Sequence, residues 1–200
     1  MKIGLFGGTF DPIHIGHLIL AERSRDEAAL DAVWLLPSFR PPHKPDRKVS
    51  SFEDRCEMLS ASLAGLSAYR VETIEADLPS PSYTAETLAA LRARDPSTDF
   101  HLILGADSLI DLPYWYEPQR VLAQAGLIVV PRPGVELWTA ERLASSLHLP
   151  SSAVRMQTVP CPLMDVASRD LRRRVADGRS IRFMVPREVE TIIRQRGLYV

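Results

Sequence analysis

The sequence is poor in cysteine and has no long hydrophobic run. Cys56 and Cys161 are its only cysteines, and their wide separation excludes both a disulfide framework and a closely spaced cysteine metal site. No apolar stretch is long enough to span a bilayer, and Gly4, Gly7 and Gly8 interrupt the first one, so we expect neither a signal peptide nor a membrane partner. We therefore predict a cytoplasmic protein whose two thiols stay reduced.

An excess of charge of one sign is also missing. The 200 residues hold 24 Lys and Arg against 25 Asp and Glu, so there is no overall attraction to nucleic acid or to an acidic membrane. Residues 166–200 depart from this balance, with nine arginines against four carboxylates. This excess raises RNA binding as an alternative, but the segment lacks the aromatic-interleaved platform typical of such proteins. We predict no nucleic-acid partner and assign most of these arginines to solvated helical surface.

Short apolar runs alternate with helical stretches along the chain. The predicted strands are residues 3–6, 33–36, 70–74, 100–104, 127–130 and 154–159. The predicted helices are residues 17–29, 51–64, 84–94, 117–124, 138–147, 168–176 and 187–196. This alternation predicts the α/β class, as a single Rossmann-like doubly wound domain over residues 1–200. Its mostly parallel sheet of five to six strands would carry helices on both faces, with ligands beyond the carboxyl ends of the strands.

The stretch at residues 7–17 is the strongest candidate site. Gly7 and Gly8 separate the first strand from the first helix, and glycine lets backbone N–H groups approach an anion closely. His14 and His17 then follow at the helix start, three residues apart. A purely structural role for the two histidines is the alternative. Their position behind a double glycine favours a phosphate site instead.

The block His14-Ile15-Gly16-His17, preceded by Gly-Gly-Thr-Phe-Asp-Pro, resembles the signature of the nucleotidylyltransferase superfamily. Across most of its length the chain resembles, more narrowly, the bacterial nicotinate mononucleotide adenylyltransferases. The resemblance implies that ATP and nicotinate mononucleotide are the partners and that adenylyl transfer in NAD biosynthesis is the activity. The mononucleotide phosphate would attack the α-phosphorus of ATP in line, and pyrophosphate would leave. Charge stabilisation by fixed donors would then carry the catalysis.

Further blocks support the narrower family, and the resemblance implies a role for each. The implied catalytic residues are His14, His17 and Lys44, the last in Pro41-Pro42-His43-Lys44. The implied ATP contacts are Gly7, Gly8, Thr9, Phe10, His17, Gly105, Asp107, Ser168 and Arg172. The implied nicotinate mononucleotide contacts are His43, Lys44, Tyr83, Thr84, Trp115 and Arg132. Ala167 and Arg169 depart from the family pattern around Ser168, which puts those two positions in doubt as ligands.

Magnesium is the expected cofactor, and it would arrive with ATP. Mg²⁺ on a triphosphate is held largely by phosphate and water, and the sequence has no carboxylate cluster at ligand spacing. We therefore predict no protein metal ligand. The oligomeric state stays open, a homo-oligomer included.

Several alternatives remain at this point. Residues 39–44 could form a plain proline-rich surface loop, Thr84 and Asp107 could be simple helix caps, and the aromatic residues 114–116 could belong to the core. Another adenylyl- or cytidylyltransferase, such as one acting on phosphopantetheine, and a non-catalytic nucleotide sensor are the rival functions. Class I aminoacyl-tRNA synthetases share the His-Ile-Gly-His letters, but they need a much longer chain and a Lys-Met-Ser-Lys-Ser-like loop.

Overall fold

The computed structural model describes residues 1–39, 49–162 and 164–200. Its six strands are β1 (Lys2–Gly8), β2 (Ala32–Pro37), β3 (Tyr69–Val71), β4 (Asp99–Gly105), β5 (Gly126–Val130) and β6 (Met156–Thr158). Its α-helices are α1 (Ile15–Glu27), α2 (Phe52–Ser62), α3 (Thr84–Arg94), α4 (Ala106–Asp111), α5 (Pro118–Gln124), α6 (Ala140–Ser146), α7 (Ser168–Ala176) and α8 (Arg187–Gln195). Three short 3₁₀ turns lie at Ile74–Asp77, Leu112–Tyr114 and Ser151–Ala153.

All six strands form one parallel sheet in the order β3-β2-β1-β4-β5-β6. The chain crosses from one half of the sheet to the other between β3 and β4, so the loops after β1 and β4 diverge at the carboxyl edge. Such a divergence leaves a crevice where ligands bind in this type of sheet. The predicted doubly wound Rossmann-like architecture is confirmed.

Helices cover both faces of the sheet because successive strand residues point to opposite sides. Ile3 and Leu5 of β1 belong to a core cluster that also contains buried residues of α3, α4, α5 and α6. Phe6 of β1 and Leu35 of β2 belong to a second cluster with buried residues of α1, α2, α7 and α8. Within the described residues, no helix has the length and apolar character needed to cross a membrane.

Two predicted elements have different boundaries in the structure because a side chain hydrogen-bonds to the backbone, and one short helix was not predicted. The third strand ends at Val71 instead of residue 74, because the buried Glu72 carboxylate accepts from the Ile74 N–H at 3.2 Å and starts a turn. Helix α6 begins two residues late, because the Thr139 hydroxyl accepts from the Arg142 N–H and caps it there. The short helix α4 was not predicted, since six residues give little periodicity.

Candidate active site

His14 and His17 lie at the start of α1, directly beyond the carboxyl end of β1. His14 is the N-cap residue, and its backbone N–H donates to Nδ1 of His17 at 3.2 Å. The two rings stack with their centroids 3.7 Å apart and their planes 26° from parallel. Because Nδ1 of His17 accepts a hydrogen bond, the proton of the neutral ring resides on Nε2. The helix start therefore fixes the tautomer of His17.

Both histidines are held in their neutral form. Burial, and then the charge of Arg132, lowers the pKa of His14 from 6.5 to about 4. Burial, then His14 and then Arg132, hold the pKa of His17 well below its ordinary value. The ring of Phe10 packs edge-on against that of His17, 5.1 Å between centroids. At neutral pH the pair can therefore donate N–H groups to phosphate without adding positive charge of its own.

The glycines around the pair serve different needs. A Cβ on Gly16 would lie 3.1 Å from Nδ1 and Cε1 of His14, so a larger residue here would force the stacked ring to shift. A Cβ on Gly8 would lie 3.0 Å from the Phe10 ring, whereas one on Gly7 would meet no described atom within 4 Å. Gly7 is thus the position at which the backbone stays open to a ligand. The role of Gly16 was missed, although its place between the two histidines was the available signal.

Residues 9–12 connect β1 to His14 and are held by side chains from distant parts of the chain. Phe10 adopts a left-handed backbone conformation, with a φ of 50°. The buried Arg55 of α2 donates to the Thr9 carbonyl at 2.9 Å. Arg172 donates to the Asp11 carbonyl at 2.6 Å, and the Ser168 hydroxyl donates to the Pro12 carbonyl at 2.9 Å. Ser168 and Arg172, two of the residues that the resemblance assigns to ATP, therefore contact the loop that precedes the histidines.

Gly105, Asp107 and Arg132 lie together at the carboxyl ends of β4 and β5. Nε of Arg132 is 3.2 Å from Oδ1 of Asp107, and the side chains of both are about half exposed. A Cβ on Gly105 would lie 2.5 Å from that Asp107 oxygen and 2.7 Å from Nε of Arg132, so a larger residue here would displace the ion pair from its position. Asp107 is the second residue of α4, whose N-cap is Gly105, so the simple cap considered for Asp107 is wrong.

The residues predicted for the nicotinate pocket lie at the start of α3 and after α4. Tyr83 is the N-cap of α3 and Thr84 its first residue, so the cap considered for Thr84 is wrong. The N–H groups of Thr84 and Ala85 have no acceptor within the helix, whereas the Glu86 N–H donates to the Tyr83 carbonyl at 3.0 Å. The Tyr83 ring stacks on Tyr116, 4.4 Å between centroids. Trp115 instead packs against the core cluster as a partly buried residue, and Tyr114 is exposed. Sequence reasoning missed the partnership of Tyr116 with Tyr83.

A carboxylate that sequence reasoning also missed connects this region to the loop after β2. Glu75 accepts from the Phe39 N–H at 3.1 Å and from the Thr87 hydroxyl at 3.4 Å. Burial raises its pKa against the opposing effect of these hydrogen bonds. Glu75 therefore fixes the beginning of the proline-rich loop relative to α3. His43 and Lys44 lie outside the described residues, so their predicted contacts stay predictions.

The described residues contain no group of three or more His, Cys, Asp or Glu side chains arranged to hold a metal ion. The carboxylate at this end of β4, Asp107, already faces Arg132. Carboxylate oxygens are suitable ligands for Mg²⁺, but a single carboxylate does not form a metal site made of protein ligands alone.

Known proteins resemble the chain over nearly its whole length. A family model described as cytidylyltransferase-like matches residues 5–174. A relative from Thermomicrobium roseum, named probable nicotinate-nucleotide adenylyltransferase, is 41% identical over 99% of this chain and 91% of its own length. A relative of the same name from Rubrobacter xylanophilus is 40% identical over 100% of this chain and 92% of its own length.

A solved structure also shares the fold. Plasmodium falciparum nicotinic acid mononucleotide adenylyltransferase complexed with NaAD superposes with a TM-score of 0.78, over 99% of this chain and 97% of that one, at 16% identity. At that identity the likeness concerns the fold alone. The family rests instead on the relatives about 40% identical at full length and on the matching family model. By these measures the chain belongs to the nicotinate-nucleotide adenylyltransferase family, within the cytidylyltransferase-like proteins.

Proposed function

We propose that this protein is a nucleotidyltransferase that joins the adenylyl group of ATP to nicotinate mononucleotide, giving nicotinate adenine dinucleotide and pyrophosphate. The observation that carries the proposal is the neutral, stacked pair of His14 and His17 behind the open Gly7 turn. Relatives about 40% identical carry the name of this activity. We further propose that residues 1–200 act as one domain and that the enzyme works in the cytoplasm.

The chemistry follows from where donors stand relative to developing charge. A phosphate oxygen of the mononucleotide forms a bond to the α-phosphorus, and the bond from that phosphorus to the bridging oxygen breaks, with its electron pair leaving on pyrophosphate. Nε2–H of His17 is fixed in direction by the hydrogen bond at its Nδ1. A preorganised donor of this kind stabilises the transition state without reorganisation. No covalent enzyme intermediate is required, because positioning and charge stabilisation suffice.

Cationic side chains would complete the phosphate site. Arg132 lies close enough to both histidines to lower their pKa values, so a bound phosphate near them would also meet its charge. We propose that Arg132 exchanges its Asp107 partner for the mononucleotide phosphate. We propose Lys44 as the second cation and His43 as a further contact. Mg²⁺ would neutralise the triphosphate charge and would be held by phosphate and water.

The pyridine end would bind between the α3 start and the loop after α4. The free N–H groups at Thr84 suit a carboxylate, which nicotinate has and nicotinamide lacks. Trp115 would supply the flat surface for the pyridinium ring. A neutral amide would leave buried donors poorly paired, and this is the physical source of the expected selectivity.

Pyrophosphate release tests this function directly. ATP and magnesium would be supplied with nicotinate mononucleotide or with nicotinamide mononucleotide in parallel, and CTP would replace ATP in a third reaction. Turnover with ATP and the nicotinate form alone supports both the reaction and the pocket. Equal turnover with both mononucleotides would keep the reaction and remove the carboxylate pocket. Turnover that requires CTP or phosphopantetheine would favour the rival members of the superfamily.

A further inference from the structure

The penultimate residue of the chain reaches the loop that carries the histidine pair. The Tyr199 hydroxyl donates to Oδ1 of Asp11 at 2.7 Å, across 188 positions of sequence. Asp11 is buried, with 2% of its surface exposed, and lies three residues before His14. Its Oδ2 is 3.7 Å from Nη1 of Arg172 and accepts from the Ser50 N–H at 3.5 Å. The Tyr199 hydroxyl is thus the closest of these groups to the carboxylate.

The C-terminal segment is built so that it holds Tyr199 in place. After α8, the Leu198 N–H donates to the Ile193 carbonyl at 3.0 Å, which turns the chain back. Arg196 forms ion pairs with Asp54 and Glu57 of α2. Leu198 and Tyr199 then pack against the core cluster that includes Phe10 and Ile13. These contacts position the end of the chain against the loop instead of leaving it to fray.

Two features of Tyr199 point to a specific role and not to generic packing. Its backbone is left-handed, with a φ of 69°, a conformation that a bulky residue adopts only when its surroundings compensate the strain. Burial, and then the charge of Asp11, raises the pKa of its hydroxyl above the ordinary value, so the group stays a donor. An ionised carboxylate only accepts, so the direction of the hydrogen bond is fixed.

We propose that Tyr199 is a positioning residue for adenylyl transfer: through Asp11 it fixes residues 9–12 and thereby the placement of His14 and His17. The proposal rests on the function proposed above, in which the histidines act on charge that develops in the transition state. Arg55, Ser168 and Arg172 hold the loop by its carbonyls. Tyr199 makes the shortest of the described contacts to the Asp11 side chain, so its loss should loosen the loop without unfolding it.

Tyr199→Phe tests the proposal, with Tyr69→Phe as the matched control. The Tyr69 hydroxyl also donates to a carboxylate, that of Glu22. Tyr69 is the first residue of β3, however, so it lies at the amino ends of the strands and the candidate site lies at their carboxyl ends. We expect Tyr199→Phe to lower kcat about tenfold, because small misplacement of catalytic donors is costly. The Kd for ATP, measured calorimetrically without an acceptor, should change less than about threefold, since only transition-state interactions weaken. Tyr69→Phe should lose a similar amount of thermal stability and keep its kcat.

The contrary results are equally specific. A kcat within about twofold of the parent for a folded Tyr199→Phe would overturn the proposal, and so would equal losses of kcat and ATP affinity. Parent protein that releases no pyrophosphate would instead count against the proposed function, so the two failures are distinguishable.

A second measurement tests the route through Asp11. Asp11→Asn keeps an acceptor for the hydroxyl and Asp11→Ala does not, so the advantage of Asn over Ala in kcat should be larger while Tyr199 is present. The same Asn-to-Ala difference in the Tyr199→Phe background would overturn the proposal.

Discussion

The buried histidine pair should make the folded protein sensitive to mild acid. The pKa of His14 falls from 6.5 to about 4 on folding. Between these pH values the unfolded chain therefore binds a proton at His14 that the folded chain does not bind. The resulting loss of unfolding free energy is absent above pH 6.5, grows as the pH falls and is complete below about pH 4. It amounts to about 3 kcal/mol in full and to about 2 kcal/mol by pH 5. His17 adds to it in the same direction.

The assay is urea unfolding of the parent at pH 7.5 and pH 5.0. His14→Asn removes the titrating ring, so its loss of unfolding free energy between the two pH values should be smaller than that of the parent by about 2 kcal/mol. His148→Asn is the control, because His148 is exposed and its left-handed φ of 56° suits asparagine. It should lose as much stability as the parent does. Equal losses in the parent and in His14→Asn would refute the assignment of a low pKa to His14.

Three further perturbations probe the site. His17→Ala should lower kcat by at least a hundredfold while the Kd for ATP, measured by calorimetry, changes much less; equal changes would mean that His17 binds ground and transition states alike. Gly16→Ala should lower kcat about tenfold or more, because its Cβ would press on the His14 ring 3.1 Å away, and a fully active variant would contradict this. Glu75→Gln removes a carboxyl whose pKa is raised by burial. Protonation of Glu75 should therefore stabilise the parent as the pH falls from 8 to 5, so the melting temperature of the parent minus that of the variant should rise. A difference that stays constant with pH would contradict a raised pKa at Glu75.

Much of the fold was predictable because its signals are local. Strands β1, β2 and β5 are largely buried on both faces, so they appear in the sequence as continuous apolar runs. The Ser51 cap of α2 was also visible from Asp54 three residues later, whose N–H donates to the Ser51 hydroxyl at 3.0 Å. The errors fell where a side chain overrode periodicity, as Glu72 does at the end of β3.

The candidate site divides in the same way. The sequence by itself determined which groups follow the carboxyl ends of the strands: the glycine turn, the His14 and His17 imidazoles, and Asp107 after β4. These groups lie close to one another in the chain or at the ends of recognisable strands, so their spacing carries the information. Only the tertiary structure decided the neutral state of His14, which depends on burial and on Arg132 from another strand end. It alone brought Tyr199 to Asp11, because a contact between opposite ends of a chain leaves no local pattern in sequence.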